Sequence, residues 1–368
     1  MSYISHKINT VKGRYLSPIA LSNALNRWCL FKDLTLMSHS VLGENIEVYR
    51  LGSGKQTILL WSQMHGNEST TTKGLIDFMS FLLSDSKEAI AILKQLHFVI
   101  VPILNPDGAK AYTRVNANLV DLNRDFKDLS QPESQFLVHV FNRVKPHFCF
   151  NLHDQRTIFN VGNTKAPATL SFLGPAADKE KTVTPSRMVS MQLIVAINNH
   201  IQSIIPGQVG RYDDHFNANC AGDHFQSKKV PTLLFEAGHY PADYEREHTR
   251  RFIYEALLAA AQSIVTKTYV KHSVSDYLLI PENQKTYLDL RVINAHLINP
   301  KISSKTSLAF QYEEVLENGA IVFIPKIISI EDEKEHYFHK LIDLSLPNTE
   351  GQELVFQNIT QIIKDLRV

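Results

Sequence analysis

Two histidines and one glutamate of this chain could together hold a divalent metal ion. His65 and Glu68 are three residues apart in the run His-Gly-Asn-Glu, so both side chains can turn toward one ion. His153 is the third candidate, because two histidines, one glutamate and an open position form a recurrent catalytic zinc arrangement. Each histidine alone is more simply explained as a core or rim residue, since the chain has 16 of them. The metal hypothesis therefore depends on the three residues coming together.

Glu236 is a candidate to work beside such an ion. It follows directly after the apolar run 232–235 and precedes Ala-Gly. A carboxylate at the end of a buried strand is costly to desolvate unless it is paired or functional. Glu236 is therefore either a hydrogen-bonded structural carboxylate or a general base that takes a proton from water and passes it to a leaving amine.

The segment 105–126 is a candidate anion site. It contains Arg114 and Arg124 together with several asparagines, among them Asn123. Guanidinium groups pair bidentately with carboxylates, so two arginines after a strand end could clamp an anionic group. On composition alone, a solvated loop with surface salt bridges is the favoured explanation of the segment.

These candidates follow predicted strands of an α/β fold. Short apolar runs at 57–61, 98–101, 148–152 and 232–235 predict buried strands, and the amphipathic segments between them predict helices. The helices are predicted at 86–95, from a Ser130–Glu133 capping box to 144, at 188–205 and at 243–265. Ligands of open α/β sheets bind at the carboxyl ends of the strands, where these candidates lie.

Composition excludes several classes of protein. The 368 residues are 44% hydrophobic and 20% charged, which is typical of a folded globular chain of about two domains. Lys+Arg 38 against Asp+Glu 37 argues against a nucleic-acid partner held by bulk positive charge. Three distant cysteines exclude a disulfide scaffold and a thiolate zinc site. Without a long apolar run or a signal-like N-terminus, we expect a cytoplasmic protein with no membrane partner.

The character of the chain changes near residue 270. Segments 274–280, 286–298, 308–316 and 320–330 are rich in β-branched and aromatic residues, and Asn318-Gly319 predicts a hairpin. A final amphipathic helix is predicted at 351–366. We therefore expect a first domain at 1–270 and a smaller β-rich domain of unknown role at 271–368.

Three motifs carry a specific resemblance. The runs Val-Pro-Ile-Leu-Asn-Pro-Asp-Gly at 101–108, Thr-Arg-Val-Asn-Ala-Asn at 113–118 and Val-Asp-Leu-Asn-Arg-Asp-Phe at 120–126 resemble the carboxypeptidase A-like zinc carboxypeptidases. These motifs are most similar to those of the bacterial cytoplasmic branch that acts on murein peptides. The resemblance covers about residues 50–265. It implies an α/β fold with a doubly wound mixed β-sheet flanked by helices, and one bound zinc ion.

The resemblance also implies residue roles. His65, Glu68 and His153 would bind the zinc ion, in the order that the family uses. Glu236 would activate the zinc-bound water and carry its proton. Arg114 would polarise the carbonyl of the bond to be cleaved and stabilise the oxyanion.

Further roles concern the substrate. Asn123 and Arg124 would hold its C-terminal carboxylate. The family places a tyrosine on a loop over the substrate, and Tyr212, 24 residues before Glu236, is the best match, with His215 as a rival. The base of the side-chain pocket would lie near 221–223, which does not select between apolar, basic and diaminopimelate-type side chains.

Three functions are compatible with these residues. The first is a zinc metallocarboxypeptidase that cleaves a peptide or peptide-like amide next to a free carboxylate. The second is a zinc amidohydrolase for N-acyl amino acids, since aspartoacylase and succinylglutamate desuccinylase relatives share His-Gly-Asn-Glu and Asp-Leu-Asn-Arg, here at 65–68 and 121–124. The third is a non-catalytic binding protein, although no ligand or base is missing. Asp154, next to His153, is a candidate to orient a ligand histidine.

Overall fold

A computed structural model describes residues 3–331, 336–346 and 353–366. Within them, the strands are β1 (Ser38–His39), β2 (Asn45–Ile46), β3 (Tyr49–Leu51), β4 (Gln56–Ser62), β5 (Leu96–Val101), β6 (Phe148–Asp154), β7 (Asn160–Val161), β8 (Leu170–Leu173), β9 (Val209–Arg211), β10 (Thr232–Ala237), β11 (Asn283–Gln284), β12 (Tyr287–Ile293), β13 (Ser307–Glu317), β14 (Ala320–Glu331) and β15 (Tyr337–Asp343).

Helices of the same residues are α1 (Pro18–Asn26), α2 (Thr70–Leu82), α3 (Lys87–Gln95), α4 (Pro106–Ala111), α5 (Pro132–Val144), α6 (Pro185–Gln202), α7 (Ala221–Ser227), α8 (Glu247–Thr266), α9 (Val274–Leu278) and α10 (Glu353–Asp365). Short 3-10 turns occur at Tyr3–Ser5, Cys29–Phe31, Leu122–Arg124, Thr268–Lys271 and Ala295–Leu297. None of the described helices is long and apolar enough to span a bilayer.

A seven-stranded mixed sheet forms the centre, in the order β3-β5-β4-β6-β10-β8-β9. The strands β5, β4, β6 and β10 run parallel to one another. Strand β3 is antiparallel to β5, β8 is antiparallel to β10, and β9 is parallel to β8. Helices cover both faces. The predicted α/β class, with a doubly wound mixed sheet flanked by helices, is therefore confirmed.

The apolar runs form strands because both faces of the sheet are buried. In β4, Ile58 and Leu60 contact the core cluster that contains α2, α3, α6 and α8, whereas Leu59 and Trp61 contact the opposite cluster with α5 and α7. A strand buried on both sides needs apolar residues at every position rather than at alternate ones. This requirement explains why these strands could be predicted.

The register of the sheet aligns the carboxyl ends of β4, β6 and β10. In the β10–β6 pair, Glu236 lies opposite His153 and Leu234 lies opposite Asn151. His153 and Glu236 are each the second-to-last residue of their strand, whereas the sequence analysis placed them directly after it. Parallel neighbours end at the same edge, so the loop after β4 lies beside them.

The capping box predicted at Ser130–Glu133 is wrong. Helix α5 begins with Pro132 and has no side-chain cap. The Ser130 hydroxyl donates instead to Asp125, and the Glu133 carboxylate accepts from the backbone of Val41 and from Asn116. Long-range partners have taken both side chains from the local motif, which short-range spacing cannot reveal.

The region after residue 270 is strand-rich, as predicted. A second sheet has the order β14-β13-β12-β15, and α10 packs against it. The Asn318-Gly319 turn joins β13 to β14, with φ of 50° and 80°, which confirms the predicted hairpin. The predicted strand at 274–280 is wrong: Val274–Leu278 is a helix that begins at a Ser273–Asp276 capping box. Strand β15 was not predicted, and residues 351–352 of the predicted last helix lie outside the described residues.

Candidate active site

Three side chains converge at the edge where β4 and β6 end. His65 Nδ1 lies 2.8 Å from Glu68 Oε1 and 3.1 Å from His153 Nδ1, and His153 Nδ1 lies 2.8 Å from Glu68 Oε2. All three residues are buried. Ligand atoms around a tetrahedral ion with bonds of 2.0–2.1 Å are about 3.4 Å apart, so this triangle needs to open only slightly to coordinate one ion.

The donor set itself suits zinc. Two imidazole nitrogens and one carboxylate are a recurrent catalytic zinc set, with a position left for water. His65 Nε2 lies 2.9 Å from Asp121 Oδ1, which favours the proton on Nε2 and leaves Nδ1 free as a ligand atom. Two Nδ1 atoms that face each other at 3.1 Å are satisfied well by a shared cation. The residues present therefore fit a divalent metal ion.

The loop between β4 and α2 places two of the ligands. Its backbone closes a turn from His65 O to Glu68 N at 3.1 Å. Gly66 allows a close approach, because a Cβ there would lie only 1.9 Å from the backbone carbon of Gly108. Glu68 Oε2 also accepts from the backbone N of Asp154 at 3.1 Å, which ties the loop to the end of β6.

Asp154 does not orient a ligand histidine. Its carboxylate accepts from the backbone N–H groups of Thr70 and Thr71, at 2.9 and 3.0 Å, and so caps α2. A third partner is Arg14 Nη1 at 3.3 Å. The histidine partner is Asp121, a residue that the sequence analysis did not single out. Its place in the run Asp-Leu-Asn-Arg at 121–124 was the available signal.

The two glutamates of the site have pKa values that are shifted in opposite directions. Burial acts to raise the pKa of Glu68, but the imidazoles of His65 and His153 outweigh it and hold that pKa well below its usual value. Burial raises the pKa of Glu236 well above its usual value, and the carboxylates of Glu68 and Asp154 raise it further. Among the described residues Glu236 has no hydrogen-bond partner, so its carboxylate is available to a ligand in the cavity.

Arg114 lies between the triad and solvent. Its Nη1 is 3.3 Å from Glu68 Oε1 and its Nε donates to Asp121 Oδ2 at 3.0 Å. Its side chain is 47% exposed, so part of the guanidinium faces the cavity. Arg114 can therefore donate to a group bound beside the three converging donor atoms.

Asn123 and Arg124 lie in the 3-10 turn that Asp121 caps. Asn123 Oδ1 accepts from the backbone N of Ala221 at 2.9 Å, which fixes the turn against the start of α7. The exposed Arg124 contacts its neighbour's carbonyl and Cys220 Sγ, at 2.7 and 3.1 Å. Within the described part of the chain Arg124 has no carboxylate partner, so it can accept one from a ligand.

Tyr212 and His215 follow β9, and both line the cavity. The Tyr212 ring packs on Phe159 with centroids 5.5 Å apart. Burial raises its pKa, with a further contribution from the carboxylates of Glu236 and Glu68, so the phenol stays protonated and near the site. His215 is exposed and only its backbone is held, by Asp213. The geometry favours Tyr212 over its rival.

All of the predicted site residues line one cavity of about 720 Å³. They are His65, Glu68, Arg114, Asn123, Arg124, His153, Tyr212, His215 and Glu236. The cavity is also lined by residues that the sequence analysis missed, notably Arg14, Tyr312 and Glu314. No local pattern marks these three, because they reach the site only through the packing of distant segments.

Comparison with known proteins gives a consistent result. The family model described as "Zinc carboxypeptidase" matches residues 10–203, just over half of the chain. That range includes the three converging donor residues, Arg114 and Arg124, and it ends before Tyr212 and Glu236. Zinc is therefore the metal that the family brings to this donor set.

Curated and solved relatives agree. "Probable carboxypeptidase 2" of Arthroderma benhamiae is 28% identical over 123 residues, 33% of this chain and 23% of that protein. The match thus spans about a quarter of that relative's length. Two solved structures share the fold. A metallo-carboxypeptidase of Pseudomonas aeruginosa, in complex with (2-guanidinoethylmercapto)succinic acid, has a TM-score of 0.55 at 17% identity and covers 68% of this chain and 69% of its own.

The second is carboxypeptidase A of Helicoverpa armigera, with a TM-score of 0.51 at 17% identity, covering 68% of this chain and 74% of its own. These comparisons support the family and leave its murein-peptide branch as a prediction. They do not favour the N-acyl amino acid amidohydrolases. The chain belongs to the zinc carboxypeptidase family.

Proposed function

We propose that this protein is a zinc metallocarboxypeptidase, which hydrolyses a peptide or peptide-like amide next to a free C-terminal carboxylate. The observation that carries the proposal is the convergence of His65, Glu68 and His153 within one cavity, opposite the unpaired carboxylate of Glu236. A structural role does not explain it, because three donor atoms and a fourth buried carboxylate within one cavity are costly to desolvate.

His65, Glu68 and His153 would hold the ion. Zinc bound there would lower the pKa of a coordinated water toward about 7. Glu236 accepts the proton of the attacking water and later gives it to the leaving amine. Its raised pKa suits this second step, because a carboxyl group that holds its proton more firmly is available as an acid nearer neutral pH.

Arg114 and the Asn123–Arg124 turn would hold the substrate. Arg114 donates to the carbonyl oxygen, where negative charge grows in the transition state. Arg124, which has no carboxylate partner among the residues described, pairs with the terminal carboxylate, and Asn123 supports it. Tyr212 covers the substrate from the loop after β9. A chain end is thereby distinguished from an internal bond by its charge.

The experiment compares two peptides that differ only in a free or an amidated C-terminus. We expect zinc-dependent release of the last residue from the free peptide, loss of release after chelation and its return on adding zinc. An acetylated amino acid serves as the third substrate. Faster hydrolysis of that compound than of the free peptide would overturn the carboxypeptidase proposal and support the amidohydrolase alternative.

Two further points belong to the same proposal. Residues 1–270 would form the catalytic domain and 271–368 the smaller strand-rich domain. A cytoplasmic location is supported by the free thiols of Cys29, Cys149 and Cys220. Fractionation of cells that express the protein would test that location.

A further inference from the structure

One end of the catalytic cavity is formed by the C-terminal sheet. Tyr312 and Glu314 of β13 both line it. They are two residues apart on a strand, so their side chains lie on the same face. Glu313 between them points to the opposite face, where it is exposed and pairs with Lys326 at 3.1 Å. The sheet therefore presents two adjacent side chains to the site.

Glu314 is fixed by a buried arginine. Its carboxylate accepts from Arg14 Nη2 at 2.9 and 3.1 Å and from Arg14 Nε at 3.1 Å, and the Tyr112 hydroxyl also donates to it. The Arg14 side chain is only 6% exposed. It contacts Thr70 Oγ1 at 3.1 Å and Asp154 Oδ2 at 3.3 Å. The pair thus fastens β13 to the start of α2 and the end of β6.

Tyr312 is held as a wall. Its ring packs edge-on against Tyr244, with centroids 5.3 Å apart, and against Phe323 at 5.8 Å. Its backbone N donates to Asp289 at 2.8 Å. An aromatic ring fixed on two sides and at its backbone cannot move aside cheaply. Tyr312 therefore limits the space available at this end of the cavity.

Separate chains of contacts connect the triad to Arg124 and to the C-terminal sheet. His65 leads through Asp121 to the turn that carries Arg124. Glu68 leads through the backbone N of Asp154 to Arg14, and from there to Glu314. A substrate that is anchored at Arg124 and reacts at the triad can therefore extend its N-terminal part toward the C-terminal sheet, which lines the same cavity.

We propose that Tyr312, held in place beside the Glu314–Arg14 pair, limits how many residues the substrate carries on the N-terminal side of the cleaved bond. The protein then acts on short peptides rather than on protein chain ends. The inference rests on the proposed function. The cavity of about 720 Å³ agrees with it, since sites for small ligands measure roughly 300–1,000 Å³.

The test uses the full chain loaded with zinc and peptides of two to six residues with the same two C-terminal residues, extended by alanine. We expect kcat/KM to fall by about tenfold or more from the best short peptide to the hexapeptide, the effect of a misfit of one small group or more in a pocket. In Tyr312→Ala the fall should shrink to less than about threefold. Tyr312→Phe and Glu313→Gln should keep the wild-type dependence of kcat/KM on peptide length, because both variants keep an aromatic ring at position 312.

The outcomes separate the two proposals. If no peptide of any length is cleaved, the proposed function fails. If all lengths are cleaved at equal kcat/KM by the wild type, the function stands and the length limit is wrong. An unchanged profile in a folded Tyr312→Ala would assign the limit to another residue and overturn the role of Tyr312. Should that variant not fold, Tyr312→Leu, which keeps an apolar contact with Tyr244 and Phe323, is measured in its place.

Discussion

The Asp121 carboxylate contacts His65 and Arg114 at the same time, with Oδ1 2.9 Å from His65 Nε2 and Oδ2 3.0 Å from Arg114 Nε. One side chain thus orients an imidazole that would bind the metal and the guanidinium that would face the substrate carbonyl. The Asp121 pKa is held low, against the effect of burial, by His65 and Arg114, so the carboxylate stays charged. The proposed metal site and the proposed substrate site therefore share Asp121 as a hydrogen-bond partner.

Asp121→Asn should weaken zinc binding because the amide cannot supply the negative charge that favours the Nε2–H form of His65. We expect a loss of about 10- to 100-fold in zinc affinity, the usual effect of removing such a hydrogen-bond partner. Competition with a chromogenic chelator measures it without any assay of activity. Asp128→Asn, at an exposed position seven residues further along the chain, is the matched control. Equal affinities in the two variants would contradict the coupling.

Glu236→Gln should abolish proton transfer and leave the metal ligands in place. We expect kcat to fall by about 10²–10⁴-fold, the range typical of a lost general acid–base group, with zinc content unchanged. Steady-state kinetics together with metal analysis separate these two effects. If the variant lost zinc in proportion to activity, Glu236 would be acting on the ion and not on the proton.

Arg124→Gln should mainly affect substrates with a free carboxylate. Losing a charge-assisted hydrogen bond is worth about 1.5–3 kcal/mol, so kcat/KM should fall by roughly 10- to 150-fold for such peptides. Amidated analogues, which react slowly in either protein, should be indifferent to the change. A similar loss for both substrate classes would mean that Arg124 supports the fold of the 3-10 turn and does not anchor the substrate.

The sequence predicted the four parallel strands of the central sheet and the residues of the candidate site because both depend on short-range signals. Strand β4 is apolar at consecutive positions, and the run 120–126 keeps its motif within seven residues. Arg14 and Glu314 could not be found in this way. They are 300 residues apart and meet only after both sheets have packed.

The two errors of the prediction have different origins. Ser130 and Glu133 have the spacing of a capping box, yet Asp125 and Asn116 bind their side chains. Residues 274–278 are apolar enough for a strand, but Ser273 and Asp276 cap them as a helix. In the first case a tertiary contact outcompeted the local motif, and in the second a local cap outweighed apolar composition.

A buried ion pair between α8 and α2 also holds the N-terminal segment in place. Arg250 donates to Asp77 through Nη2 at 2.6 Å and Nε at 2.7 Å, and both side chains are fully buried. Asp77 also accepts from the Tyr3 hydroxyl and the Ile8 backbone, both at 2.8 Å. Asp77→Ala would remove the fully buried charged partner of Arg250 and leave the partly exposed Glu247 carboxylate, 3.2 Å away, at a cost of about 3–5 kcal/mol in the free energy of unfolding.

Urea denaturation measures that loss, and Asp85→Ala, an exposed acid two turns away on the chain, is the control. Removing one partner of the ion pair destabilises the fold more than the intact pair stabilises it. Replacing both partners by apolar residues, as in Asp77→Leu with Arg250→Met, should therefore be less destabilising than the single change. A double variant that is worse than Asp77→Ala would contradict this account.

The buried carboxyl group of Asp223 should make the stability of the protein depend on pH. It is the third residue of α7, and burial raises its pKa from 3.8 to about 6. Between about pH 4 and 6 the folded protein keeps a proton that the unfolded chain has lost, so this group makes stability fall as the pH rises. Below pH 4 the penalty is absent, and above about pH 6 it is complete. Two pKa units correspond to about 3 kcal/mol.

Asp223→Asn should remove this penalty, because an amide resembles the neutral acid and can still accept the backbone N–H of Asn217, now 2.8 Å from the carboxylate. The difference in unfolding free energy between variant and wild type should therefore grow in favour of the variant from pH 4 to pH 6.5 and then level off. Urea denaturation at a series of pH values measures the difference. Parallel curves for the two proteins would mean that Asp223 ionises with an ordinary pKa in the folded state, and the burial of its carboxylate would then be offset by solvent in the cavity.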